Sequence, residues 1–224
     1  MKYKAIIFDF NGVLWWDSHL QEAAWQKFAG QIRGRPFTTE EMAVQVHGRT
    51  NRHTLEYLTG HTLTAQRAYR LSEQKETIYR QMCLALGDQF QLSPGAAELL
   101  DFLVAYQIPH TIATASGKGN VDFFIEHLEL GRWFDIEQIV YDNGARRGKP
   151  APDCYRDAAQ ILGIDPQQCI VVEDSRSGMA AAQAAGIGHI IALGPSSAHK
   201  RLAQVDGVNQ VVADLSQISR SLFL

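Results

Sequence analysis

Asp9 follows a charge-free apolar run, Ala5-Ile6-Ile7-Phe8, and precedes Gly12, where the chain can turn. Taken alone, it also reads as a strand-end carboxylate capping that turn. Three later segments bring related chemistry. Thr114-Ala115-Ser116 ends one apolar run, and Glu173-Asp174-Ser175 ends another, Cys169-Ile170-Val171-Val172. Between them Lys149 stands in Arg147-Gly148-Lys149-Pro150-Ala151-Pro152-Asp153, just before a predicted helix. Two or three carboxylates offering oxygen suit Mg²⁺, which takes few protein ligands and keeps several waters. A lysine, a hydroxyl and free backbone N–H groups suit a phosphate. A spare carboxylate beside such a phosphate can attack phosphorus as a nucleophile.

These groups meet only if their segments are strands ending on one side of one sheet. In a doubly wound sheet the C-terminal strand ends converge on one crevice, where ligands bind. The pattern after Pro94 supports that. Helices are predicted over 94–106, 120–127, 152–162 and 178–185, alternating with strands over 109–114, 138–140, 169–172 and 189–192, and Val211-Val212 reads as an edge strand. Such alternation implies right-handed crossovers and a parallel sheet, which the strand over 4–8 must join. Between 17 and 87 no convincing strand is present. Asp17 or Ser18 opens a helix over 19–28, and Thr38 or Thr39 caps one running through 46. Thr50 or Asn51 opens a third that ends at Gly60, and 65–86 reads as a long fourth. Ser93 is read as the N-cap of the next helix, with Pro94 at its first position. The fold class is therefore α/β, a doubly wound parallel sheet with an inserted all-helical cap. The core spans 1–16 and 91–224, and the cap spans 17–90.

A net charge of −3 gives no global basic field for nucleic acid. Any anionic ligand must therefore be held by a few local cations. Cys83, Cys154 and Cys169 fit no disulfide or zinc spacing and read as buried, reduced thiols of a cytoplasmic protein. No apolar run approaches the ~20 residues of a membrane span, and no signal peptide opens the chain. A monomer or weak dimer is expected.

The motifs, taken in order, resemble the haloacid dehalogenase superfamily, in the subfamily of β-phosphoglucomutase and phosphoglycolate phosphatase. They are Asp9-Phe10-Asn11-Gly12-Val13-Leu14, Thr114-Ala115-Ser116, Gly148-Lys149-Pro150-Ala151-Pro152-Asp153, and Val172-Glu173-Asp174-Ser175 followed by Gly178 and Ala184-Ala185-Gly186. The resemblance implies a Mg²⁺-dependent phosphatase acting on a small phosphorylated metabolite. It makes Asp9 the nucleophile that carries an aspartyl-phosphate. Thr114 and Lys149 then hold the phosphoryl group, with the backbone N–H groups of Phe10 and Ala115. Asp9, Asp174 and the carbonyl of Asn11 become the Mg²⁺ ligands, and Glu173 orients a metal-bound water or Lys149. A sugar phosphomutase would use the same phosphoryl site.

Position 11 departs from the family, whose hydrolases usually carry an Asp there as general acid and base. An amide cannot deliver and retrieve a proton, and such catalysis is typically worth ~10²–10⁴-fold. Asn11 can be natural, with activated substrates such as acyl phosphates or aryl esters. Another group can supply the proton, Asp17 and His19 being nearest in sequence. It can be a substitution that traps an intermediate, or the chain can be a weakly active or inactive protein that binds a phosphorylated ligand. In the cap, His47-Gly48-Arg49-Thr50-Asn51-Arg52-His53 is the notable stretch. Arg49 or Arg52, with Asn51, could grip a second anionic or hydroxyl-rich part of a substrate. Trp15, Trp16 and Trp25 are expected to pack where cap and core join. His110, His127 and His189 fall in apolar patterns, and His61 and His199 read as exposed.

Overall fold

The computed structural model describes residues 3–46 and 49–224. His47 and Gly48 of the cap motif lie outside the described residues. The chain forms two compact units, Met1–Trp16 with Gln91–Leu224, and Asp17–Phe90.

The unit Asp17–Phe90 is helical. It contains α1 (Ser18–Arg33), a short α2 (Thr39–Glu41) that continues as a π-helix over Met42–Val46, α3 (Asn51–Thr59) and α4 (Ala65–Leu84). Side-chain oxygens of Thr38, Thr50 and Thr64 accept the orphan N–H groups that open α2, α3 and α4. Thr38 and Glu41 form a reciprocal capping box. Helix α1 runs past position 28, because Gly30 stays helical and the left-handed residue that stops it is Gly34. One face of α1 buries Leu20, Ala24, Trp25 and Phe28, and Trp25 packs edge-on against Phe28 and Phe37. In the other unit, Trp15 is buried and Trp16 is 40 % exposed.

A chain of polar groups also runs through this unit. Asp17 occupies the N-cap position of α1 but makes no side-chain cap. Its buried carboxylate instead accepts the Tyr79 hydroxyl at 2.6 Å and Gln21 Nε2 at 3.1 Å. Gln21 Oε1 accepts from the buried Lys75 Nζ at 2.5 Å, and Lys75 also donates to Glu76 at 3.1 Å. Asn51 Nδ2 donates to the same Glu76 oxygen at 2.9 Å.

The other unit is built on a six-stranded sheet. Its strands are β1 (Ala5–Phe8), β2 (His110–Gly117), β3 (Val140–Asp142), β4 (Cys169–Glu173), β5 (His189–Leu193) and β6 (Val208–Val212). They lie in the order β3-β2-β1-β4-β5-β6, and every neighbouring pair is parallel. Helices α5 (Ala96–Ala105), α6 (Lys118–His127), α7 (Asp153–Leu162) and α8 (Arg176–Ala185) make the connections, with a short α9 (His199–Leu202) before β6. Strand β1 is apolar throughout because both of its faces are covered. Ala5 and Ile7 face a core with Val171, Tyr155, Met179 and Ala182, and Phe8 meets Phe134 edge-on.

Three local expectations are corrected. Ser93 does not cap α5. Its hydroxyl donates to Val13 O at 2.6 Å, and the N-cap position is Gly95, left-handed and close against the Ser216 backbone. The strand expected over 138–140 begins only at Val140, because the Asp135 side chain caps a 3₁₀ turn over Ile136–Gln138. Strand β2 continues through Thr114-Ala115-Ser116 to Gly117 instead of ending at 114. Among the histidines, His127 is exposed, while His199 is half-buried and bonds the Gly194 carbonyl at 2.9 Å.

Candidate active site

Register sets the site. Phe8 pairs with Ile112 of β2 and Val172 of β4, so Asp9 leaves β1 level with Ala113 and Glu173. The Asp9 N–H still donates to Val172 O at 3.0 Å, which fixes the start of the loop that follows. Gly12 then adopts φ +78°, and a Cβ there would run into the Asp174 carboxylate. Glycine therefore satisfies two needs at once, a left-handed backbone and room for Asp174.

Lys149 reaches the same place from the loop before α7, where the Lys149–Pro150 peptide is cis. Its ammonium lies 2.6 Å from Glu173 Oε1, 3.0 Å from Asp9 Oδ1 and 3.3 Å from Ala113 O. Three N–H donors thus have three oxygen partners. Glu173 is fully buried and held on all sides. Oε1 also accepts the Tyr155 hydroxyl at 2.7 Å, and Oε2 accepts Ser175 N and Oγ, both at 3.0 Å. Ser175 Oγ in turn caps α8 by accepting from Gly178 N at 3.0 Å. A Cβ on Gly178 would collide with the Glu173 carboxylate, so the first turn of α8 must be bare for the carboxylate to lie against it.

The charges are distributed unevenly. Burial pushes the Asp9 carboxyl up to about 7, against the pull of Lys149 and with a further push from Glu173. Glu173 is buried as deeply, yet Lys149 and the hydrogen bonds from Tyr155 and Ser175 hold it below the usual carboxylate range. Burial opposes the charge of Lys149, but Asp9 and Glu173 together raise its pKa above the ordinary lysine value. Glu173 is thus the standing counter-ion of Lys149.

Asp9, Glu173 and Asp174 each offer an oxygen within 4.8 Å of the others. This donor set fits a hard divalent cation. Protein donors occupy both Glu173 oxygens.

Thr114 is buried and its Oγ1 accepts from Ser116 N at 3.1 Å. Ser116 Oγ donates to Asn11 Oδ1 at 2.7 Å. Ala115 is exposed beyond them, and the Phe10 ring is buried, stacked on Phe124 at 4.3 Å. Asp9, Phe10, Asn11, Thr114, Ala115, Lys149, Glu173 and Asp174 therefore all belong to the sheet unit. Arg49, Asn51 and Arg52 belong to the helical unit. There Arg49 bonds Val44 O at 3.0 Å, and Arg52 bonds Glu56 and Leu63 O. Arg146 and Arg147 form surface pairs with Asp157 and Asp153.

Tyr155 supports the site and Lys75 belongs to the interior of the helical unit, and neither stands out in the sequence. Tyr155 reads as an ordinary apolar-face residue of α7, and only the fold aims its hydroxyl at Glu173. Lys75 reads as a solvated helix position, yet it is buried, with its ammonium 5.1 Å from the Trp25 ring centre.

Comparison with known proteins gives concordant likenesses. A family model described as haloacid dehalogenase-like hydrolase matches residues 3–186. Hexitol phosphatase A of Escherichia coli (strain K12) is 31 % identical over 221 residues, covering 98 % of this chain and 94 % of that protein. β-Phosphoglucomutase of Bacillus subtilis (strain 168) is 30 % identical over 189 residues, covering 82 % and 80 %. A crystal structure of a HAD hydrolase, family IA, variant 3, from Entamoeba histolytica HM-1:IMSS superposes with a TM-score of 0.91 at 36 % identity, covering 99 % of this chain and 97 % of that one.

Proposed function

We propose that this chain, which belongs to the haloacid dehalogenase-like hydrolase family, is a Mg²⁺-dependent phosphatase of a small phosphorylated sugar or polyol. The observation that carries the reading is the convergence of Asp9, Lys149 and Glu173 within hydrogen-bond distance at the ends of β1 and β4. The likeness to a hexitol phosphatase supports the substrate class.

In this reading Asp9 attacks phosphorus and carries the phosphoryl group, and water then releases it. Lys149, fixed by Glu173, neutralises the phosphoryl oxygens as they approach Asp9, a preorganised electrostatic role. Thr114 and the N–H groups of Phe10 and Ala115 orient the phosphoryl group. Asp9, Asp174 and the carbonyl of Asn11 would hold Mg²⁺. When bound, the ion supplies Lewis-acid charge to a phosphoryl oxygen. Glu173 serves as the support of Lys149, and Tyr155 and Ser175 hold Glu173. The buried thiols of Cys83, Cys154 and Cys169 support a reducing, cytoplasmic setting.

The test is phosphate release from a panel of hexose and hexitol phosphates with and without Mg²⁺. Turnover that needs Mg²⁺ and disappears in Asp9→Asn is expected. Turnover that survives Asp9→Asn contradicts the reading. A sugar phosphomutase is the second reading, favoured by the likeness to β-phosphoglucomutase. Isomer formation without net phosphate release would select it.

A further inference from the structure

Position 11 lies beside the reacting carboxylate and is an amide. Ser116 Oγ donates to Asn11 Oδ1 at 2.7 Å, which fixes the orientation of that amide. The amide can offer a hydrogen bond but cannot give up a proton and take it back. Among the described residues of the sheet unit, the lysine, tyrosine, serine and histidine nearest this position each have hydrogen-bond partners, and Asp174 stands in the carboxylate cluster with Asp9 and Glu173. The three N–H donors of Lys149 face Asp9, Glu173 and Ala113 O. The Tyr155 hydroxyl donates to Glu173, and Ser175 Oγ is held between Glu173 and Gly178. His110, the histidine of β2, bonds the Ile108 and Trp133 carbonyls.

From this arrangement we infer that the chain is specialised for phosphate donors whose leaving oxygen departs without being protonated: acyl phosphates, aryl or enol phosphates, and among sugars the anomeric 1-phosphates ahead of primary-alcohol phosphates. The inference rests on the reading of Asp9 as the nucleophile and, within the sugar phosphates, moves the preference to the anomeric 1-phosphates. In the first step the Asp9 Oδ–P bond forms and the P–O bond to the leaving group breaks. The electron pair goes to the leaving oxygen, which departs as a carboxylate, phenolate, enolate or weakly basic alkoxide. In the second step water attacks phosphorus, the Asp9 carboxylate departs, and the water proton passes to solvent. Asn11 assists neither step by proton transfer. Alkyl phosphates are therefore slowed at the first step, while with activated donors the second becomes limiting and phospho-Asp9 accumulates.

The test compares the chain as it stands with Asn11→Asp over a series from acetyl phosphate and substituted phenyl phosphates to glucose 1-phosphate and sorbitol 6-phosphate. Rates are accompanied by intact-mass measurement of acid-quenched protein. The chain as it stands should show a steep dependence of rate on leaving-group basicity and a mass increase of one phosphoryl group with the activated donors. Asn11→Asp should flatten the dependence, gaining ~10²–10⁴-fold on alkyl phosphates and less than ~10-fold on acetyl phosphate, and should lose the accumulated phosphoenzyme. Equal slopes in the two proteins, with turnover still abolished by Asp9→Asn, would overturn the inference alone, because another group would then be supplying the proton. Turnover or phosphoprotein that persists in Asp9→Asn would instead overturn the nucleophile reading on which it rests.

Discussion

Lys149 Nζ lies 2.6 Å from Glu173 Oε1, nearer than to the Asp9 oxygen it also faces at 3.0 Å. The lysine is thus anchored by a residue outside the reacting pair. Removing one partner of a buried ion pair leaves the other uncompensated, at a typical cost of ~3–5 kcal/mol. Glu173→Ala should approach the lower end of that range, since Asp9 remains to accept Lys149. Urea denaturation measures the cost, and an unchanged midpoint would contradict the anchoring role.

Asp9 is expected to make the metal-free protein less stable as pH rises. Its folded pKa is raised to about 7, chiefly by burial, whereas its unfolded value is about 3.9. Between the two the folded state binds more protons, so its stability falls from about pH 4 to about pH 7 and levels off above. Asp9→Asn should abolish that decline and stabilise the protein at pH 8 by about 1–3 kcal/mol. Denaturation in EDTA at pH 5 and pH 8 checks it; parallel curves for the two proteins would sink the prediction.

Gly12→Ala places a methyl group where the Asp174 carboxylate lies, at φ +78°. The left-handed backbone alone costs about 1–2 kcal/mol for a non-glycine residue. The variant should fold, lose about 2 kcal/mol, and no longer gain thermal stability from added Mg²⁺. The parent protein should gain it. An Mg²⁺-dependent melting shift of equal size in both would contradict the assignment of Asp174 to the cation.

In the helical unit, Lys75 and Glu76 are both buried and share one contact at 3.1 Å. Glu76→Ala should cost about 3 kcal/mol, because among the described residues Lys75 then keeps Gln21 alone as a hydrogen-bond acceptor. The double variant Lys75→Met with Glu76→Leu should recover most of the loss, since replacing a whole buried pair by apolar groups is often neutral. A thermal-denaturation cycle of the single and double variants measures the coupling, and strict additivity would argue against a coupled pair.

The parts of the fold legible in the sequence are those set by local rules. The apolar runs ending at Phe8 and Val172 mark central strands covered on both faces, and the threonines and glycines that open and close α3 are visible one by one. Ser93 misleads because Ser-Pro is a good local start for a helix, while its hydroxyl finds the Val13 carbonyl, 80 residues away in the chain. The same limit applies at the candidate site. Asp9, Lys149 and Glu173 stand out by type and setting. The support from Tyr155 and the hold of Ser116 on Asn11 depend on which helix and strand the fold brings alongside, and no spacing encodes that. Lys75 escapes notice because its burial follows from the packing of α1 against α4 around Trp25 and Tyr79.

The most direct measurement is to react the protein with radiolabelled acetyl phosphate in Mg²⁺, quench in acid, and map the labelled peptide. Label on Asp9, absent from Asp9→Asn and discharged by hydroxylamine as an acyl phosphate should be, is the predicted result. Phosphate release in the Asp9→Asn protein, or label on another residue, would contradict a covalent phosphoryl transfer through Asp9.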